Sequence, residues 1–339
     1  MSVSGPPSLA TVSSHFVDDW LDGLRTCCTG DQLPSFLHRS GIDFSKGRLS
    51  HRVTLDQIVR LYQIAAVETG DEMTGLWSRT VRPRALQHLL TTVREASSLP
   101  SALHRFSTFW NLILDDYRFD LIQQNGGNGL VLTPCTDTPP QRFGHMLILK
   151  LAHGLLSWLA GYEVPVRAVQ FAFPRPAFAQ DYAVIFPTKV SFEAPCSAIS
   201  FDLADVGPPG ARSNAEVHAF LKRAPRDWIF TSLQEHTQSL RVRDFLYRNS
   251  WEACDLASAA VAMKITTRTL IRRLDAENTS FQAIKDGLRR DIAIRDLQTG
   301  EKSIEEISQD VGFSSSANFH RAFRRWTGEP PSSYRRPTG

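Results

Sequence analysis

Apolar residues recur at helical spacing over residues 16–27 and 55–69. In the second run Leu55, Ile58, Val59, Leu61, Tyr62, Ala65 and Ala66 share a face, and Gly70 ends it. The same period predicts helices over 86–95 and 102–116, the latter opened by Pro100 and Ser101. The period then drops to two across Tyr117–Asn125 and Gly129–Pro134, which flank Gly126, Gly127 and Asn128 as a hairpin signature. A long apolar helix is predicted over 143–159. Strands follow at 166–173, 189–193 and 198–203, with a short helix at 179–185. Helices mixed with mainly antiparallel strands, without regular alternation, predict an α+β domain over 15–205. Residues 1–14, small and polar, predict a disordered lead. A Gly/Pro-rich stretch opens a linker at 206–227, and 228–339 reads as an all-α domain. Helices are predicted at 215–224 and 229–249 on either side of that boundary.

Two pairs of short helices close the chain. Asp255 caps a helix over 256–263, and Thr266 caps a second through Leu274. Leu270 and Leu274 turn inward, while Arg268 and Arg272, four residues apart, share an outer face. The second pair opens on Ser303, with Glu306 completing a capping box. Ile304, Ile307 and Val311 face inward, Gly312 supplies a tight turn and Phe313 plugs the junction. The last helix buries Phe319, Ala322, Phe323 and Trp326, presents Ser316, Ala317, His320, Arg321 and Arg324, and stops at Gly328 and Pro330. Each pair has the form of a helix-turn-helix. Residues 280–297 suit a connecting helix, with Phe281, Ile284, Leu288, Ile292 and Ile294 as its apolar contacts. At ~1.5 Å per residue it is roughly 27 Å long, near the ~34 Å between successive major-groove faces.

Charge changes this picture little by its sum and more by its distribution. The 339-residue chain carries +3 net, with 42% hydrophobic and 22% charged residues, the balance of an ordinary globular protein. From Ser250 to Gly339, 14 Lys+Arg stand against 12 Asp+Glu. Lys264, Arg268, Arg272 and Arg273 form one basic island and Arg321, Arg324 and Arg325 another. Asp286, Asp291, Asp296, Glu301, Glu305, Glu306 and Asp310 lie between. No apolar run reaches the ~18–20 residues of a bilayer span. Residues 143–161 are interrupted by Gly144, His145, Lys150, His153 and Gly154 and read as a core helix. Five cysteines without a CxxC, and an N-terminus without a signal-peptide pattern, predict reduced thiols in a cytoplasmic protein.

Enzymatic chemistry finds no foothold. The ten histidines are scattered without metal-ligand spacing, so neither a metal nor a cofactor is expected. The Gly126–Gly129 stretch lacks the Lys-Ser/Thr of a phosphate loop. His145 and His153 read as satisfied core residues, Asp115 and Asp116 as a helix end, and no nucleophile–base pair is found. Phe171, Phe173, Phe178 and Tyr182, with Phe109 and Trp110, read first as structural core. Within that set Trp110, Phe171, Phe173 and Tyr182 are the candidates for lining an effector pocket.

At 251–335 the chain resembles the AraC/XylS family of bacterial transcription regulators. The likeness is carried by RTLIRRL (Arg268–Leu274) and by the series Gly312, Phe313, Phe319, Arg321, Ala322, Phe323, Arg324, Trp326, Gly328, Pro331, Tyr334 and Arg335. Residues 33–42, 61–76 and 173–202 are similar to the arabinose-binding-type regulatory domain of one subgroup. Lys264 stands where members usually have a turn glycine, which predicts a less regular first turn, and Ser308 replaces the usual alanine. The resemblance implies a regulator, often an activator, whose two recognition helices enter adjacent major grooves of promoter DNA. Arg268, Arg272, Ser316, Ala317, His320, Arg321 and Arg324 are the DNA-contact candidates. Of these Arg324, together with Arg325, Arg335 and Arg336, is assigned to phosphate. RNA polymerase, a small-molecule effector and a second copy docked through the N-terminal domain are the implied partners, and no membrane. The alternative reading makes that domain a protein association module without a small ligand.

Overall fold

The computed structural model describes residues 11–42, 52–124, 127–137, 141–176, 178–186, 188–203, 206–229, 238–249, 251, 254–276 and 279–335. The chain divides into two compact units. One comprises Ser13–Phe44 and Gln57–Leu233, the other Met1–Val12, Ser45–Asp56 and Gln234–Gly339. The tip of the predicted hairpin at residues 125 and 126 and the start of the lead lie outside the described residues, as do the 204–205 boundary and Arg336. A two-stranded sheet joins β1 (Thr11–Ser13) to β2 (Arg52–Thr54).

The larger unit is α+β. Its helices include α1 (His15–Cys27), α2 (Gln32–Ser40), α3 (Leu55–Thr69), α4 (Ala85–Arg94) and α5 (Leu99–Ile113). The sequence pattern places α3 at its observed bounds. α5 starts three residues early because the Ser98 side chain accepts a hydrogen bond from the Ser101 amide. Pro100 then falls in the first turn, where its missing N–H is harmless. α2 goes unpredicted: Pro34 looks like a breaker, yet it too sits in a first turn.

Strands β3 (Tyr117–Gln124), β4 (Gly127–Pro134), β5 (Val166–Gln170), β6 (Val190–Ser191) and β7 (Ser197–Phe201) form one sheet in the order β3-β4-β7-β5-β6. Pairing is antiparallel except between β5 and β6. The buried Phe119 lies opposite the buried Leu132, so this face of the hairpin belongs to the core. β5 is shorter than the predicted strand. Beyond Gln170 the backbone leaves β7, the Ala172 amide donating to Ser197 Oγ at 3.0 Å instead, while Phe171 still donates to the Ser191 carbonyl at 3.0 Å.

Behind the sheet runs α6 (Arg142–Ala160), 19 residues long and almost wholly buried. It is long and apolar enough to cross a bilayer, but 89% of its apolar stretch is covered by its own unit. Its polar residues are buried with it. Lys150 Nζ lies 2.9 Å from His153 Nδ1 and 5.7 Å from the centre of the Phe186 ring. His153 Nε2 faces the Val164 carbonyl at 3.0 Å. His145 pairs with Ser197 Oγ at 2.8 Å, while its Nε2 meets no hydrogen-bond partner among the described residues. His153 is therefore the satisfied core histidine expected, and His145 only half so. Past a short 3-10 turn and α7 (Tyr182–Ile185), the segment read as a linker carries α8 (Asn214–Lys222), opened by a capping box between Ser213 and Glu216. α8 packs on α4, and α9 (Arg226–Ile229) packs on α6. Of the single helix predicted at 229–249, the described residues show the part from Gln238 onward as helix. α9 is described as far as Ile229, and residues 230–237 lie outside the described residues.

The second unit is helical from Gln238: α10 (Gln238–Arg248), α11 (Leu256–Ala262), α12 (Thr267–Ala276), α13 (Phe281–Thr299), α14 (Ile304–Asp310) and α15 (Ser316–Thr327), then a 3-10 turn at Pro331–Tyr334. One apolar core joins them. Leu270, Leu274, Leu288, Ile294, Ile307, Phe319 and Phe323 meet there, so neither helical pair folds around a core of its own.

Candidate nucleic-acid interface

α11–α12 and α14–α15 are built by one backbone pattern used twice. In the first, the amides of Met263, Lys264 and Ile265 donate to the carbonyls of Ala259, Val261 and Ala260. In the second, Val311, Gly312 and Phe313 donate to Ile307, Gln309 and Ser308. Each bond recurs 48 residues on. Gly312 reaches this geometry at φ 76° and Lys264 at φ 56°, both in the left-handed region. The expected irregularity of the first turn is thus corrected: lysine adopts the glycine conformation and the hydrogen bonds are kept. Its cost is backbone strain of ~1 kcal/mol. Ser308, at the position of the usual alanine, buries a hydroxyl without a partner among the described residues. Lys264→Gly and Ser308→Ala are each expected to stabilise this unit by about 1 kcal/mol, read as a higher melting temperature.

The second helices repeat with a shift of 49, one residue more, because the second turn is longer by one. Thr266 Oγ1 accepts from the Thr269 amide at 3.1 Å, and Ser315 Oγ from the Asn318 amide at 3.3 Å. Leu270 and Phe319, then Leu274 and Phe323, are the buried counterparts. On the opposite face Arg268 matches Ala317, Ile271 matches His320, and Arg272 matches Arg321. Of these, Arg268, Ile271, Arg272, Ala317 and Arg321 are exposed and His320 is half-buried, as is Ser316, while Arg324 is exposed one turn further on. Arg321 Nη2 is held by Asn318 Oδ1 at 2.6 Å. The structure therefore brings each set of DNA-contact candidates onto one helix face. It adds Ile271, which the sequence reading missed by treating the first helix as a pair of arginines; its place one residue before Arg272 was the available signal.

Of the acids of the connecting helix α13, Asp286 pairs with Arg325 of α15 at 3.4 Å, and the other two are sunk inside. Asp291 is buried and paired to Arg243 at 2.9 Å and Arg290 at 3.0 Å. Asp296, also buried, pairs with Arg295 at 2.7 Å and Lys302 at 3.4 Å. α13 is further locked to the second turn by Arg289. Its guanidinium lies 5.0 Å from the Trp251 ring centre and 4.9 Å from that of Phe313, and Nη2 donates to the Gly312 carbonyl at 3.2 Å. Trp251, at φ 70°, donates from Nε1 to the Asp310 carbonyl at 2.7 Å.

The four effector-pocket candidates do not converge. Phe171, Phe173 and Tyr182 pack ring to ring with Phe192, whereas Trp110 packs with Phe106, Phe109 and Phe119. All four are buried. An open hollow of about 500 Å³ lies elsewhere in this unit, lined by Arg79, Thr80, Val81, Arg82, Ala85, Leu112 and Ile113.

Two capped helix-turn-helix units on one core, each with exposed arginine on its second helix, define a double helix-turn-helix DNA-binding protein. The profile of the arabinose-binding domain of AraC transcription regulators matches residues 30–209, and a helix-turn-helix domain profile matches 259–337. The chain belongs to the AraC family of transcription regulators. It is 30% identical over 188 residues to the ornithine utilization regulator of Pseudomonas aeruginosa, covering 56% of each chain. To the regulator VqsM of the same species it is 26% identical over 200 residues, 58% of this chain and 60% of the other. The transcriptional activator NphR of Rhodococcus sp is 28% identical over 148 residues, 40% and 43% of the two chains. The chain thus matches between 43% and 60% of the length of these relatives. The crystal structure of the regulator CdpR from P. aeruginosa aligns over 94% of this chain and 98% of that one, at 20% identity and a TM-score of 0.33.

Proposed function

We propose that the chain is a sequence-specific regulator that lays α12 and α15 into adjacent major grooves of promoter DNA, and that the larger unit is its input. The observation that carries this reading is the equivalence of Arg272 and Arg321, exposed at the same position of two capped helices on one core. A guanidinium fork there bonds guanine O6 and N7 together, worth ~1–3 kcal/mol of discrimination. Arg268, Ser316, Ala317 and His320 lie beside it and contact neighbouring base edges. Arg324 touches phosphate, which adds affinity and salt dependence without selectivity.

The regulator works in the cytoplasm. A small effector, or a second copy docked through the larger unit, changes promoter occupancy or contact with RNA polymerase by shifting the populations of states that bind DNA. The relative that acts in ornithine utilization makes amino acids the first effectors to try.

Arg272→Ala and Arg321→Ala are each expected to lower affinity for the preferred site about 10–100-fold, with little change on random DNA. Equal loss on both would make them phosphate contacts. An effector is expected to raise the melting temperature of the full chain. A metabolite library that shifts nothing leaves the larger unit as an association module.

A further inference from the structure

The two reading faces are built alike yet bear different chemistry. Beside the shared arginine, α12 carries Ile271 and α15 carries His320. Ile271 is 45% exposed. It stands one residue before Arg272 and three after Arg268, a spacing that puts all three on one side of the helix. A branched apolar side chain between two guanidiniums has no hydrogen bond to offer a base edge. What it can cover in a major groove is the one apolar group displayed there, the C5-methyl of thymine. His320, at the same station of α15, offers a ring nitrogen to a hydrogen-bonding edge instead.

Resting on the proposed DNA reading, we infer that Ile271 and His320 are what make the two halves of the operator unlike. The halves share a guanine read by Arg272 and Arg321. Ile271 selects a thymine beside it in the α12 half, and His320 selects a purine N7 at the matching place in the α15 half. Ile271 determines specificity by shape and methyl contact alone.

The test is selection of random duplex DNA by the full chain, repeated with Ile271→Ala, followed by binding to the selected site with uracil in place of the thymine. Wild type is expected to select thymine at one position of one half, and uracil there to weaken binding about fourfold, the worth of one buried methyl. Ile271→Ala should lose that preference alone, keep the α15 half unchanged, and bind thymine and uracil duplexes equally. Because Ile271 is exposed, the variant should melt with the wild type. Wild-type binding indifferent to uracil at every position overturns the inference. So does an Ile271→Ala selection identical to wild type, the result expected if this side chain docks a protein. Absence of any sequence preference in wild type would overturn the DNA reading itself.

Discussion

Gly312→Ala is expected to destabilise the helical unit by about 3 kcal/mol and lower its melting temperature by at least ~10 °C. Two costs add. The first is the left-handed backbone, which Lys264 already bears in the other turn, so its magnitude is only ~1 kcal/mol. The second is steric. A Cβ on Gly312 would sit 2.8 Å from Cβ and Cγ of Trp251, with Arg289 Nη2 at 3.1 Å. Trp251 cannot retreat easily, being stacked on Arg289 and bonded to the Asp310 carbonyl. In a Trp251→Gly background only the flexible tip of Arg289 stays close, and Gly312→Ala should cost little beyond the backbone strain. A double-mutant cycle from thermal unfolding measures this coupling; additive costs would mean that Trp251 is not what excludes the side chain.

Lys150→Met is expected to stabilise the larger unit at pH 7 by on the order of 2 kcal/mol. Burial pushes the Lys150 pKa from its ordinary 10.5 down to about 8, and Glu163 only partly opposes this. Between about pH 8 and 10.5 the unfolded chain holds one more proton than the folded one, so stability rises with pH across that window. Below about pH 8 both states hold the proton and the burial cost is present in full. A shift of this size is worth roughly 3 kcal/mol. Losing the bond to His153 Nδ1 gives back about 1 kcal/mol. The advantage of Lys150→Met should therefore be largest at neutral pH and shrink as pH rises from 8 towards 10.5. Calorimetry of the full chain across this range measures it, and a pH-independent difference would count against a buried ammonium.

Local signals were the most legible in the sequence. Caps at Ser303 and Asp255 and the apolar stripe of α3 each act within a few residues, so pattern alone locates their helices. The double helix-turn-helix was readable for the same reason, since its caps, turn and inward residues are contiguous. Lys264 shows where such reading fails. Its residue type argues against a left-handed turn, but the bonds on either side impose one. The effector candidates are a different case: four aromatic residues are a composition, and which rings meet depends on the packing of α5 and β5 far apart in sequence. Ile271 was overlooked because the first helix was read as a pair of arginines, although inward Leu270 and Leu274 leave its position on the outer face beside Arg272.

The pairing of Asp291 and Asp296 inside the helical unit bears on how a near-neutral domain meets a polyanion. Charges sunk into the interior beside Arg243, Arg290 and Arg295 cancel locally and project little field into solvent. An approaching duplex is met instead by the guanidiniums left outside, so the rate of first encounter follows the charge on the reading faces. The arithmetic excess of two positive charges is a property of the chain; the attraction is a property of the surface.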